Sequence, residues 1–163
     1  MNKTSIKNWY QIEIEVDACT SGKELTDLLV FLGSKIKTKY MVLDYITGAV
    51  DDYLYTATYP MIMAFKQFLN IARPATQFDW AYLYLFEKKE NAECFVKQMK
   101  LIEPPFPEYF NKLAEYFRTL VVVFDDTSFI IYTQNKSLKD MIKTKYINAT
   151  IKERTIDQLE FYL

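Results

Sequence analysis

The run FDWAYLYLF, from Phe78 to Phe86, constrains the fold of this chain more than any other stretch, because it is apolar at both parities. Successive side chains of a β-strand point to opposite faces of the sheet, so one face of this strand is aromatic and the other is aliphatic. Such a strand either lies inside a sheet that is covered on both sides, or leaves an apolar face for a partner. The aromatic face holds Trp80, Tyr82, Tyr84 and Phe86.

Three interpretations of this aromatic face are open. The C-terminal half of the chain covers it, a dimer or partner interface covers it, or its rings stack nucleobases as in some RNA-binding sheets. Each buried ring removes roughly 150–250 Å² from water, and a monomer rarely leaves so much contiguous apolar surface exposed. Cover by the chain itself is the plainest interpretation, and base stacking has the least support because the motif of RNA-recognition strands is absent.

A second aromatic pattern lies in DDYLYTATYP, residues 51–60, where tyrosines share one parity. We predict a strand here, joined to the preceding strand by a hairpin across Gly48–Asp52 or by a bulged ribbon. Tyrosine is enriched at interfaces because its hydroxyl group tolerates water. If the two strands are neighbours, their rings merge into one surface. The candidate binding residues are Trp80, Tyr82, Tyr84, Phe86, Tyr53 and Tyr55.

Hydrophobic periodicity predicts an α+β chain with the order β, α, β, β, α, β, α, α, β, β, α. Ser21 and Glu24 match a capping box at the start of the first helix, and a second helix is expected between Pro60 and Pro74. Two β-rich runs around Asp125–Thr127 predict a hairpin. We expect an antiparallel or mixed sheet with helices on one or both faces, and the opening β-α-β-β-α-β order matches the ferredoxin-like order.

The length of 163 residues fits one α+β domain over residues 1–163. The proline-rich stretch LIEPPFP, residues 101–107, is the best candidate for a subdomain boundary. The last stretch, residues 147–163, is ambiguous between strand and helix. No window approaches about 18 uncharged apolar residues, so we expect no membrane span.

Composition excludes several kinds of chemistry. The chain has no histidine, which rules out Ser-His-Asp and Cys-His catalysis and imidazole metal sites. Only three glycines are present, and they form neither a GxGxxG motif nor a P-loop. The two cysteines, Cys19 and Cys94, are expected to be free thiols in a reducing cytosol. We therefore expect no cofactor and no metal ion.

The charge of the chain does not indicate which class of partner it binds. The net charge of −1 produces no global field toward nucleic acid or an anionic membrane. Clustered aspartates can hold Mg²⁺ or act as acids and bases, but adjacent aspartates are also common in turns. Two lysine rows are expected to be solvated helix faces unless folding brings them together. The acidic candidates are Asp17, Asp44, Asp51, Asp52, Asp79, Asp125 and Asp126, and the lysine rows are Lys35, Lys37, Lys39 and Lys139, Lys143, Lys145.

These observations favour a small non-enzymatic binding or regulatory protein that acts through protein–protein contact in the cytoplasm, with a homodimer as one form. A phage-encoded or mobile-element accessory protein that inhibits or modulates a host system fits the size and the missing catalytic groups. Two alternatives stay open. One is single-stranded nucleic-acid binding through the sheet aromatics, although nucleic acid is otherwise an unexpected partner, and the other is a carboxylate-metal enzyme.

Overall fold

The computed structural model describes residues 8–101, 112–155 and 158. Its strands are β1 (Trp9–Glu15), β2 (Tyr40–Ala49), β3 (Met61–Ala64), β4 (Gln77–Phe86), β5 (Thr119–Phe124), β6 (Ser128–Thr133) and β7 (Thr150–Arg154). Its helices are α1 (Gly22–Ile36), α2 (Asp52–Thr56), α3 (Phe65–Ala72), α4 (Lys89–Leu101) and α5 (Lys136–Lys145). Apart from Leu101, the expected boundary at residues 101–107 lies outside the described residues, as does part of the C-terminal stretch.

The strands form one seven-stranded sheet in the order β3-β2-β4-β5-β6-β1-β7, and every neighbouring pair is antiparallel. The α+β class is therefore confirmed, with an antiparallel sheet rather than a mixed one. The β-α-β-β-α-β order along the chain is also present, with the short α2 added between β2 and β3. In the sheet, β5 and β6 stand between β4 and β1.

The first face of the sheet is covered by α1, α3 and α5, which bury their apolar stripes against it. The aliphatic parity of β4 lies on this face, with Ala81 and Leu83 fully buried. Burial of each large aliphatic side chain contributes about 1.5–3 kcal/mol, so this layer supplies much of the stability. These three helices contribute Leu25, Leu28, Leu29, Leu32, Phe65, Phe68, Ala72, Leu138 and Ile142 to this core.

The second face is covered by α4 and by a turn segment at residues 113–117. Helix α4 contributes Phe95 and Met99 at i, i+4 spacing, which places both on one side of the helix. The turn segment adds Leu113 and Phe117. Both faces of the sheet therefore carry a packed layer, as the two apolar parities of β4 predict.

Local signals predict two details of the backbone correctly. The side chain of Ser21 accepts a hydrogen bond from the backbone N–H of Glu24, and the Glu24 carboxylate accepts one from the backbone N–H of Ser21. The β5–β6 hairpin turns through Asp125 and Asp126, whose φ angles of 48° and 51° suit a type I′ turn. Aspartate tolerates this left-handed region better than most residues, which explains the acidic pair without a catalytic role.

The prediction for residues 51–74 is wrong in two places. Residues 52–56 form the helix α2 instead of a strand, because the Asp51 side chain accepts the backbone N–H of Tyr53 and caps a helical turn. The helix expected from Pro60 begins only at Phe65. The residues between Pro60 and Phe65 form the edge strand β3 instead, because they pair with Tyr40–Leu43 of β2 through backbone hydrogen bonds.

Candidate functional site

Three of the six candidate binding residues lie in the interior. Tyr82, Tyr84 and Phe86 are 6%, 3% and 6% exposed. The ring of Phe95 lies 4.5 Å from that of Tyr84 and 5.5 Å from that of Phe86, centroid to centroid. Phe117 adds an edge-on contact with Tyr84 at 5.0 Å. These rings are core packing in this structure, and little of their surface is exposed to solvent.

Trp80 occupies an intermediate position on the same face. It is partly buried, and its ring meets Phe124 edge-on, with centroids 4.9 Å apart and planes at 71°. Edge-to-face pairs of this kind are favoured by the charge distribution of aromatic rings. Trp80 therefore lies at the edge of the second core, where its side chain is partly exposed to solvent.

The remaining candidates are exposed. Tyr53 and Tyr55 on α2 are 50% and 70% exposed, while Leu54 between them is fully buried in the first core. The structure adds Tyr45 of β2, which is 49% exposed and lies opposite Tyr82 in the sheet. Helix α2 is in contact with β2, so we refer to Tyr45, Tyr53 and Tyr55, the exposed tyrosines of these two elements, as the tyrosine surface.

Sequence reasoning missed Tyr45 because a β-bulge changes its face. The register between β2 and β4 shifts between Leu43 and Tyr45, leaving Asp44 as the extra residue. Leu43 and Ile46 both enter the first core, although they are three positions apart. In a regular strand, residues three positions apart lie on opposite faces of the sheet. Two apolar residues at this spacing, Leu43 and Ile46, are therefore the sequence signal of a bulge between them.

The bulge also places a carboxylate in a poorly hydrated position. Burial raises the pKa of Asp44 to about 6, from an ordinary value of 3.8. Burial, followed by the charges of Asp44 and Tyr45, raises the pKa of the Tyr82 phenol to about 12. Asp44 is thus a half-buried acid beside an exposed tyrosine and a buried one, at the rim of the tyrosine surface.

Carboxylates gather at this end of the sheet without forming a metal site. The Gln77 side-chain Nε2 donates to Asp79 Oδ1 at 2.6 Å and to Asp126 Oδ2 at 2.8 Å, so one amide bridges two acids. Asp51 is occupied as the cap of α2. Within residues 8–101, 112–155 and 158, no group of three or more acidic or thiol side chains is arranged to hold a metal ion.

The opposite end of the sheet contains a pocket of about 670 Å³. It opens between the end of α1, the end of β4, the start of α4 and the segment that leads into β5. Its apolar lining residues include Leu85, Phe86 and Phe117, all under 9% exposed. Its charged and polar lining residues include Lys35, Lys37, Glu87, Asn91, Cys94, Glu115, Arg118 and Asn135.

The two lysine rows meet beside this pocket. Helices α1 and α5 are in contact, and a groove of about 390 Å³ between them is lined by Lys35 and Lys145. Lys145 Nζ lies 4.3 Å from the centroid of the Phe31 ring, which is a cation–π contact. Lys143 Nζ donates to the backbone carbonyls of Ile147 and Ala149. Folding therefore brings one lysine of each row, Lys35 and Lys145, to the same groove, and Lys35 also lines the pocket.

Comparison with protein-family models, curated proteins and solved structures finds no match for this chain. Among the described helices, none is long and apolar enough to span a membrane. Both cysteines are free thiols, with Cys94 exposed and Cys19 partly buried.

Proposed function

We propose that this chain is a binding protein that contacts another protein through the tyrosine surface. The observation that carries the proposal is the exposure of three tyrosines within eleven positions of sequence, on one strand and the helix that follows it. Tyrosine is among the residues that dominate binding energy at protein interfaces, because it offers a large rigid ring with a polar tip. Among residues 8–101, 112–155 and 158, the other exposed large apolar residues are single and scattered, namely Val30, Leu101 and Ile147.

The chemistry around the tyrosine surface favours an extended, basic segment of the partner. β3 pairs only with Tyr40–Leu43, so among the described strands none lies beside Tyr45–Ala49 on the outer side of β2. An extended peptide can add to such an edge through backbone hydrogen bonds. Asp44, Asp51 and Asp52 flank this stretch, and complementary charge favours lysine or arginine in the bound segment.

Binding of this kind suits a regulatory or inhibitory role, in which the chain occupies a surface of its target. The free thiols of Cys19 and Cys94 are compatible with the cytoplasm, where thiols stay reduced. A phage or mobile-element accessory protein remains the proposed setting. A homodimer is the competing occupant of the β2 edge, and solution mass by light scattering distinguishes it from a foreign partner.

The test selects peptides from a displayed random library on the wild-type protein. Selected peptides are then measured by fluorescence anisotropy against the double variant Tyr53→Ser/Tyr55→Ser. Ile147→Ser is the matched control, because Ile147 is also an exposed large apolar residue, at 77%, but lies outside the tyrosine surface. Backbone amide shifts by NMR locate the bound peptide.

We expect lysine- or arginine-containing peptides that bind wild type and Ile147→Ser equally. The double variant is expected to bind them at least about tenfold more weakly, the equivalent of one lost contact of about 1.4 kcal/mol. The largest amide shifts are expected in Tyr45–Ala49. Peptides that bind all three proteins equally, or that shift only residues elsewhere, would contradict the proposal.

A further inference from the structure

The pocket of about 670 Å³ lies apart from the tyrosine surface and is lined by Lys35, Lys37 and Arg118. It lies at the end of β4, whereas Tyr45 lies opposite the middle of that strand and α2 follows the part of β2 that pairs with its start. We propose that it binds a small molecule that carries a phosphate or carboxylate group on an apolar body. The proposal is independent of the protein partner, and concerns a second site on the same chain.

Arg118 is the residue that most favours an anionic ligand. Its Nη1 donates to the backbone carbonyls of Glu115 and Phe117 at 3.2 and 3.0 Å, which holds the guanidinium group at the rim. Both bonds use the same nitrogen, so Nη2 and Nε have no bonding partner among the described residues. A guanidinium group fixed in this way presents the fork that matches a phosphate or carboxylate with two parallel hydrogen bonds.

Two lysines complete the cationic side of the rim. Lys35 and Lys37 end α1, and no salt bridge in the described part of the chain involves either of them or Arg118. Lysines at a helix C-terminus also complement the helix dipole, which is their ordinary structural role. Both lysines also line the pocket, which gives them a second role beside an anionic ligand.

The balance of charge at the pocket is positive. Three cations stand against the carboxylates of Glu87 and Glu115. The pocket also adjoins the first turn of α4 at Asn91 and the N-cap of α5 at Asn135. Each helix N-terminus carries roughly half a positive charge, so the two ends reinforce the cations.

The volume and lining of the pocket indicate the size and polarity of the uncharged part of the ligand. A volume of about 670 Å³ falls in the usual range for small-molecule sites. Phe86 and Phe117, both of the second core, supply an apolar part of the lining, which receives an aliphatic or aromatic group better than a second charge. The site therefore suits molecules of the general form of a nucleoside monophosphate or an aromatic carboxylate.

Cys94 provides a direct reporter of occupancy, since its exposed thiol lines the pocket. The rate of alkylation by iodoacetamide, which is uncharged, is measured at Cys94 by peptide mass spectrometry. Cys19 lies between β1 and α1, away from the pocket, and serves as the internal control in the same sample. The probes are inorganic phosphate, adenosine monophosphate and benzoate, with ionic strength held constant by sodium chloride.

We expect at least one probe to slow alkylation of Cys94 about tenfold when its concentration is about ten times its Kd, because about nine-tenths of the pockets are then filled. Alkylation of Cys19 is expected to stay unchanged. Arg118→Gln and Lys37→Asn are expected to abolish the protection. Asparagine suits position 37, whose φ of 55° is left-handed, so this variant keeps the backbone while it removes the charge.

Lys66→Ala is the matched control, since it removes an exposed lysine of α3 that does not line the pocket, and full protection is expected to remain. The absence of protection by all three probes at about 10 mM, far above a useful Kd, would overturn the proposal. Equal slowing at Cys19 and Cys94, or protection that survives both Arg118→Gln and Lys37→Asn, would overturn it as well.

Discussion

Replacing Asp44 by asparagine is expected to stabilise the folded protein, and to do so only above mildly acidic pH. Asp44 is the extra residue of the β2 bulge, and burial is the cause that raises its pKa to about 6. No side chain in the described part of the chain donates a hydrogen bond to its carboxylate. The ionised form is therefore poorly solvated in the folded state, and asparagine keeps nearly the same shape without the charge.

The sign of the effect follows from linkage. The pKa of Asp44 is higher in the folded than in the unfolded chain, so between about pH 4 and about pH 6 the folded state binds more protons. The stability of the wild type therefore falls as pH rises through this window. The rise from 3.8 to about 6 corresponds to at most about 3 kcal/mol, at roughly 1.4 kcal/mol per unit of pKa.

Urea unfolding followed by tryptophan fluorescence measures the effect, because Trp9 and Trp80 both lie in or near the second core. The free energies of unfolding of wild type and Asp44→Asn are compared at about pH 4, 6 and 8, with equal m-values as the check on the denatured state. The variant is expected to gain up to about 3 kcal/mol at about pH 8 and close to nothing at about pH 4.

Asp17→Asn is the matched control, since it removes one exposed carboxylate and changes the net charge equally. A difference between wild type and Asp44→Asn that stays within about 0.5 kcal/mol across the whole pH range would refute the reasoning, because it would show that the carboxylate is hydrated in the folded protein. A variant less stable than the wild type at about pH 8 would refute it more strongly.

Three further substitutions test the packing. Tyr84→Ser removes a ring that is 3% exposed, and is expected to cost about 3–5 kcal/mol in urea unfolding; a change below about 1 kcal/mol would mean that the ring is not core. Gly22→Ala is expected to destabilise by more than about 2 kcal/mol, although alanine normally favours helices, because its Cβ would lie 1.9 Å from the Ala72 carbonyl oxygen. An unchanged melting temperature would show that α1 and α3 do not approach so closely. Ser21→Ala is expected to cost about 1 kcal/mol, because the backbone N–H of Glu24 loses the Ser21 hydroxyl that accepts its hydrogen bond, and calorimetry showing no loss would contradict the capping box.

The elements that were predicted correctly depend on short-range rules. The capping box needs only Ser21 and Glu24 at the right spacing, and the β5–β6 turn needs only residues that tolerate left-handed angles. The helical stripe of α1 is equally visible in its leucine spacing. None of these features requires knowledge of what lies across the core.

The segment from Asp51 to Ala64 shows where such rules fail. The alternation of Tyr53 and Tyr55 has the period of a strand, yet the buried residue between them, Leu54, anchors a helix to the first core. The strand forms later, at β3, because Tyr40–Leu43 offers it a pairing edge. Tertiary contacts override local periodicity in a short segment, since few local interactions oppose them.

For the candidate binding residues, too, the sequence indicates one part and the tertiary structure another. The sequence singled out the rings of β4 as candidates, and their alternation indicates that both faces of the strand are apolar. It contains no information on which face a helix covers, because Phe95 and Phe117 reach Tyr84 only after folding. The tyrosine surface needed the Asp44 bulge to turn Tyr45 outward.

By itself, then, the amino-acid order determined the class of the protein, the chemistry that absent histidine and scarce glycine exclude, and the doubly apolar central strand. Tertiary structure alone decided that those rings are core, and that Arg118 joins the end of α1 at one pocket. The physical reason is the separation in sequence over which each interaction acts. Periodicity and capping act over a few residues, whereas burial and charge clustering depend on contacts between positions far apart in the chain.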